Sequence, residues 1–380
     1  MSKQKRTNIL FIHYGDNWIR GSEVVLLYIL KGIDKNIFSP FLMCNQSAMA
    51  NEAEKLGVPT FLTSIPEIMI DKNYIKLQFI KLTKLVFKII KLSKTHKIDL
   101  IYCNSGLPSQ AGYYASKLLK IPMICHIHAP YTYRYIFLYR FYKAQKVIFV
   151  SKAIKEEITG KINFQNNGEV IYNGIDTNLF LPVEQKDPQL KLNLGIDLDT
   201  VVIGQVGSLI FRKGVDILLK AFERVNKRYP KTHLVFTSSG PDENTFVRLS
   251  RELGCKKNVT FTGYVDNVPN YYKHIFDINV LASRAEGLGI SLIEGASCGL
   301  PCVGSNIPCI AEIIENNHSG LLFEKENIPM LAEKLELLIA NPSLRKTMGA
   351  RGREIVGEKF SIDTFTKRIN DTLKNQVNLI

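Results

Sequence analysis

The chain has 380 residues, 46% of them hydrophobic and 22% charged, an ordinary balance for a soluble globular protein that excludes wholesale disorder and implies two or three domains. Twenty-five glycines and seven cysteines exclude collagen-like and disulfide-scaffold architectures. The net charge of +14 is lopsided: residues 1–180 hold 24 Lys+Arg against 12 Asp+Glu, the remainder 25 against 23, so the first half either meets something anionic or stays soluble by its charge.

The segment Met1 to Asn8 is polar, and the apolar run Ile9–Ile12 is too short for a signal-peptide core. No run of 18 apolar residues suggests a transmembrane helix. The cysteines form no C-x-x-C pair and no zinc spacing with histidines, so reduced thiols in a cytoplasmic protein are expected.

In chain order, Ile9–His13 predicts a strand, Ser22–Gly32 a helix, Phe41–Cys44 a strand and Asn51–Leu56 a short helix closed by Gly57. Asp99–Cys103, Met123–Ile127 and Val147–Val150 predict further strands. Leu181–Leu194, with Pro182, Pro188 and few apolar residues, reads as a linker. Beyond it the alternation resumes: strand Val201–Val206, helix Val215–Arg228, strand His233–Thr237, helix Asn244–Leu253, strands Val259–Thr262 and Ile278–Leu281, helix Ile290–Cys298 and strand Pro301–Val303. Leu331–Leu373 is helical in pattern. Alternating strands and helices predict two α/β domains with parallel sheets, facing a cleft lined by the C-terminal ends of strands.

Two segments of the second half carry candidate chemistry. Gly207-Ser-Leu-Ile-Phe-Arg-Lys-Gly214 lies between a strand and a helix. It lacks the Gly-Lys-Ser/Thr order of a Walker loop. Arg212 and Lys213 still sit where backbone N–H groups and the helix dipole favour an anion, although two solvated cations would look the same. In the second segment, Ser283 to Pro301, Glu286 ends a strand-to-helix loop and Gly287 and Gly289 allow close backbone approach. Glu294 lies one turn into the next helix, where a carboxylate suits paired sugar or ribose hydroxyls.

This stretch resembles the signature of glycosyltransferase family 4, retaining enzymes of the GT-B fold. Glu286 and Glu294 have the family's spacing, and Cys298-Gly-Leu-Pro301 follows. Val170 to Phe180, Val206 to Asp216, Gly240-Pro241, Phe261 to Tyr264 and Gly21-Ser-Glu23 resemble family segments in the same order.

The resemblance implies a transferase moving a hexose-type sugar from a nucleotide diphosphate to a glycan or lipid-linked glycan. It implies that Lys213 binds the diphosphate, Glu286 the sugar hydroxyls and Glu294 the ribose. Gly207, Ser208 and Arg212 would line the donor loop, and the N–H groups of Gly287, Leu288, Gly289 and Ile290 would support sugar and phosphate. His128 would sit beside the reacting sugar, with His126 as the competing choice. Gly21, Ser22 and Asn173 would lie on the acceptor side. The domains implied are 1–180, 181–357 and a terminal helix, 358–380, returning to the first domain.

The donor is expected to be a UDP- or GDP-sugar rather than an ADP-sugar. No cofactor or metal is expected: Asp197-Leu-Asp199 looks like the metal triplet of other transferases but reads as a turn. One departure concerns Ser208, which stands where the family usually has an arginine. Losing a charge-assisted hydrogen bond of about 1.5–3 kcal/mol would weaken donor use roughly 10- to 100-fold unless Arg212 supplies the charge. That departure keeps a non-catalytic sugar-nucleotide-binding homologue open, beside a nucleotide-sugar epimerase of the same architecture.

Residues 72–98 hold eight lysines, Lys72 to Lys97, and no acid. At 100° per residue Ile75, Phe79, Leu82, Leu85, Val86, Ile89 and Ile90 share a packed face, while Leu77, Ile80 and Phe87 fall among the lysines. A second cluster, Tyr131 to Lys143, mixes aromatics with cations. Together they suit an anionic membrane surface on the cytoplasmic side, although a solvated helix and an aromatic core or sugar platform would use the same residues. No nucleic-acid-binding motif is present.

Overall fold

The computed structural model describes residues 6–17, 19, 21–66, 69–71, 74–76, 78–162, 164 and 167–377. The chain divides into two compact units, 1–174 with 363–380, and 175–362.

The first unit is built on strands β1 Thr7–His13, β2 Phe38–Cys44, β3 Thr60–Leu62, a small hairpin of β4 Met69–Asp71 and β5 Tyr74–Lys76, then β6 Leu100–Asn104, β7 Met123–Ile127, β8 Lys146–Phe149 and β9 Gly168–Val170. Seven of these form one parallel sheet in the order β3-β2-β1-β6-β7-β8-β9. Ile9 to Ile12 are fully buried, as expected of a central strand covered on both faces. The order reverses between β1 and β6, so the strand ends there form a topological switch point, where open α/β sheets bind ligands. Register places Cys44, His13, Asn104 and His126 in one row at those ends.

The second unit has β10 Val201–Val206, β11 Thr232–Thr237, β12 Val259–Phe261, β13 Ile278–Leu281, β14 Cys302–Ser305 and β15 Gly320–Phe323 in the order β12-β11-β10-β13-β14-β15. All its strand pairs are parallel. Leu218, Phe222, Leu234, Phe236, Val280 and Phe323 are among its buried core. Here the switch point falls between β10 and β13, which sets the loops after those two strands side by side.

Strands at Met123–Ile127, Val201–Val206 and Ile278–Leu281 and the helix Val215–Arg228 have the bounds the sequence predicts. Among the differences, three matter here. The lysine-rich segment is not one helix: the hairpin precedes a helix Phe79–Thr95 whose buried stripe is Leu85, Val86, Ile89 and Leu92. Phe79, expected on the packed face, is 60% exposed because the helix starts there and its first turn stands clear of the sheet. The third is the helix Gly106–Leu119, which the pattern did not suggest. Lys72 and Leu77 lie outside the described residues.

The helical C-terminal pattern resolves into Ile328–Ala340, Pro342–Lys359 and Ile362–Val377. The last buries Phe365, Ile369 and Leu373 at helical spacing. The chain passes between the compact units after residues 174 and 362, where the sequence placed the breaks after 180 and 357.

Candidate active site

In the second unit, the chain leaves β10 through Gly207, makes one 3₁₀ turn at Phe211–Lys213 and enters the helix Val215–Arg228. Arg212 and Lys213 therefore precede that helix by one turn rather than opening it. Gly214 makes the turn possible: its φ is +66°, and a Cβ there would lie 1.8 Å from the Ala282 carbonyl oxygen. That close approach presses the loop after β10 against the loop after β13.

The contact brings Lys213 Nζ to 2.6 Å from Glu286 Oε1, which also accepts from Ser283 Oγ at 2.6 Å. Arg212 donates to the Ala285 carbonyl at 2.7 Å and lies 3.6 Å from Glu286 Oε2. Two predicted cations thus converge on the predicted Glu286 carboxylate, joined by Ser283. Gly207 adjoins them, 3.7 Å separating its ideal Cβ position from Lys213 Cε. Ser208, Gly287 and Leu288 lie on the same two loops.

Glu294 sits in the helix Ile290–Ser297, which Gly289 opens at φ +103°. Its carboxylate accepts from Tyr272 at 3.0 Å. Burial pushes Glu294 up to about 7, against the opposing hydrogen bond from Tyr272 and the charge of Lys213. Asp197 and Asp199 make a turn, Asp199 pairing with Lys231, as expected.

Two residues here, Arg284 and Tyr272, escaped the sequence reading. Arg284 grips Asp216 through two bonds of 2.8 and 2.9 Å, reaches Glu326 at 2.7 Å and donates to the Phe211 carbonyl. It fastens the two loops together from behind. Tyr272 orients Glu294. No local signal marked them: an acid such as Asp216 is ordinary in the first turn of a helix, and Arg284 meets it only where the two loops pack.

In the first unit the strand-end row becomes a polar cluster. His13 Nε2 is 3.1 Å from Glu23 Oε1, Asn104 Nδ2 is 2.9 Å from His13 Nδ1, and His128 Nε2 is 2.7 Å from Asn104 Oδ1. Ser22 begins the helix Gly21–Gly32, its hydroxyl bonding Glu23 at 3.2 Å and its carbonyl accepting from Asn104 at 3.2 Å. Burial raises the Glu23 carboxyl, but His13, the backbone and Ser22 together outweigh it and the net shift is downward.

Burial pushes His128 down to about 3. His126 is fully buried, depressed for the same reason, and bonded to Tyr102 at 2.9 Å. Asn173 is buried, its amide oxygen without a partner among the described residues. Gly21 has open space at its Cβ position. Nearby, a groove of about 720 Å³ is lined by Tyr14, Gly15, Asn45, Gln46 and Thr63 among others.

Comparison with known proteins bears on the family and the fold. Residues 19–179 match the family described as Glycosyltransferase Family 4, and residues 187–355 match Glycosyl transferases group 1. An uncharacterized glycosyltransferase of Methanocaldococcus jannaschii is 27% identical over 73% of this chain and 75% of its own. The GDP-mannose-dependent alpha-(1-6)-phosphatidylinositol monomannoside mannosyltransferase of Mycobacterium tuberculosis is 27% identical over 60% of this chain and 61% of its own. A crystal structure of Anabaena HepE in complex with UDP-glucose superposes with a TM-score of 0.85 at 22% identity, covering 97% of this chain and all of that one.

The two parallel-sheet units are those of the GT-B fold, and the protein is a sugar-transferring enzyme. The chain belongs to the GT4-type glycosyltransferases.

Proposed function

We propose that this enzyme transfers a hexose from a nucleoside-diphosphate donor to a glycan or lipid-linked glycan, with retention at the anomeric carbon. The observation that carries the reading is the convergence of Lys213, Arg212 and Ser283 on Glu286 beside the start of the helix Ile290–Ser297.

In this scheme the bond from the anomeric carbon to the diphosphate oxygen breaks as the acceptor oxygen bonds to that carbon and its hydroxyl proton is released. Negative charge grows on the departing diphosphate, and Lys213, Arg212 and the helix N-terminus stabilise it. Those cations supply the charge that a metal would otherwise bring, so turnover should survive chelation. Glu286 takes the donor sugar hydroxyls and Glu294 the ribose. Arg212, directed at the same carboxylate as Lys213, supplies the charge missing at Ser208. The Anabaena complex holds UDP-glucose and the mycobacterial relative is named for GDP-mannose, which favours UDP- or GDP-sugars.

The acceptor sugar fits the groove beside Gln46, whose buried amide has no partner among the described residues. Its rim meets the lysine-rich helix, where Lys88 bonds Thr63 at 2.6 Å. Ile80 and Phe87, two turns apart on that helix, are 74% and 64% exposed between lysines. Among the described residues no helix is long and apolar enough to cross a membrane. Apolar side chains set among cations suit the surface of an anionic bilayer. Phosphatidylglycerol vesicles should therefore sediment the enzyme, and Ile80→Glu with Phe87→Glu should release it. Equal sedimentation by neutral vesicles would contradict the charge argument.

The deciding experiment incubates the enzyme with UDP-, GDP- and ADP-sugars and follows nucleotide release with and without lipid extract. Release from one donor, abolished in Glu286→Ala and cut roughly 10- to 100-fold in Lys213→Ala, is expected. Binding without release in every condition would leave a non-catalytic protein.

A further inference from the structure

Four polar side chains of the first unit are joined end to end by hydrogen bonds, and the direction of every bond is set at one end. Asn104 has one amide hydrogen on the Ser22 carbonyl at 3.2 Å. A carbonyl only accepts, so that nitrogen of Asn104 is the NH₂ group. Its other hydrogen meets His13 Nδ1 at 2.9 Å, which must therefore be bare. His13 then carries its proton on Nε2, 3.1 Å from Glu23 Oε1. The Glu23 carboxylate also only accepts, so both ends agree.

The amide oxygen of Asn104 is left facing His128 Nε2 at 2.7 Å and must receive a proton from it. The only other ring nitrogen of His128, Nδ1, is buried and has no partner among the described residues. The sheet explains why the chain of bonds exists: β1 and β6 register His13 opposite Asn104, and β6 and β7 register Asn104 opposite His126, two residues before His128.

We infer that Glu23, His13 and Asn104 are positioning residues that lock His128 in its Nε2–H tautomer and keep its buried Nδ1 bare, as a hydrogen-bond acceptor for a sugar hydroxyl. On this assignment His128 cannot donate a proton from Nδ1 to the leaving phosphate; it orients the sugar by accepting. The ring stays neutral throughout, as its strong depression by burial requires. Gly15 belongs to the device. A Cβ there would lie 2.3 Å from Glu23 Oε1, 2.7 Å from Gln46 Nε2 and 3.0 Å from His13 Nε2, so a larger residue would displace the ends of these side chains. The kinetic part of this inference rests on the proposed transfer reaction; the tautomers do not.

The test uses the full chain with ¹⁵N-labelled histidine rings. His13 and His128 are assigned among the seven histidines by His13→Gln and His128→Gln variants. In the wild type, both rings should show a protonated Nε2 and a bare Nδ1. Asn104→Asp puts an acceptor on both sides: His13, now between two carboxylates, should become doubly protonated, while His128 keeps its Nε2–H. Asn104→Ala should leave His128 averaging between tautomers. With a donor that the enzyme turns over, Asn104→Ala should lower kcat 10-fold or more with little change in KM, and Asn104→Asp should restore much of it.

A wild-type His128 protonated on Nδ1, or a His13 left neutral by Asn104→Asp in a protein that still folds by circular dichroism, would overturn the assignment. Equal kcat for the Ala and Asp variants would overturn the positioning role while leaving the transfer reaction standing. Absence of turnover in the wild type would count against the transfer reading and leave the tautomer result to decide the rest.

Discussion

Arg284 offers the sharpest energetic test, because one side chain ties both donor-side loops. Its guanidinium makes two parallel bonds to Asp216, with the side chains 27% and 13% exposed. Charge-assisted hydrogen bonds are worth about 1.5–3 kcal/mol each, and partial exposure of the arginine argues for the lower part of that range. A double-mutant cycle with Arg284→Ala and Asp216→Ala should give a coupling of about 2–3 kcal/mol. Arg284→Ala alone should cost about 3 kcal/mol or more, since it strands a largely buried carboxylate. At ~2–4 °C per kcal/mol for a unit of this size, that lowers its Tm by about 6–12 °C. Freeing the Phe211 carbonyl also loosens the turn carrying Lys213, so donor kcat/KM should fall about tenfold in the folded variant. Denaturant titrations of the four proteins measure the coupling. A value below about 0.5 kcal/mol, the range of independent sites, would refute the view that this pair fastens the loops.

Other consequences are equally measurable. Glu294 is raised from 4.5 to about 7, so its protonated form contributes stability fully below pH 4.5 and loses it as pH rises through 7. The difference is about 3 kcal/mol at 1.36 kcal/mol per unit, and Glu294→Gln should flatten that part of a stability–pH profile. Equal profiles for the two proteins would place the effect elsewhere. Gly214→Ala meets the fixed Ala282 carbonyl and a left-handed backbone, and should cost about 2–4 kcal/mol and suppress donor binding; unchanged melting would contradict it. Lys213→Ala should reduce donor turnover roughly 10- to 100-fold. Arg212→Ala should reduce it by about tenfold, and a loss under twofold would mean that Arg212 does not stand in for the absent arginine.

Much of the second unit was legible because its signals are local. The helix Val215–Arg228 announces itself by an apolar stripe, and Gly207, Gly214 and Gly289 mark the turns at strand ends. The convergence of Lys213 on Glu286 was less so: it depends on β10 and β13 being neighbours, a pairing that no local pattern encodes. The helix Gly106–Leu119 was missed because most of its buried residues are small. Pro108, Ser109, Ala111, Gly112 and Ala115 give no apolar stripe. They are small because the sheet is close: a Cβ on Gly112 would lie 2.5 Å from Cys103 Sγ. The chain of bonds from Glu23 to His128 was invisible for a third reason, since its members come from different strand ends and a helix and meet only through register. His128 was singled out by its resemblance to a family position, not by its partners.

The helix Ile362–Val377 makes the first unit discontinuous along the chain. Asn370 bonds the Gly32 carbonyl and the Asp34 amide at 2.9 Å each, closing off the end of the helix Gly21–Gly32. Arg368 reaches Glu169, and the ring of Phe365 lies 6.4 Å from that of His126. A ribosome thus finishes the second unit while the first still lacks a wall. The half of the protein made first is completed last, and His126 gains its aromatic neighbour Phe365 only when that residue has emerged. Residues 175–362 can be excised as one continuous piece; the first unit cannot, and a truncation near residue 360 removes part of the N-terminal core rather than a tail.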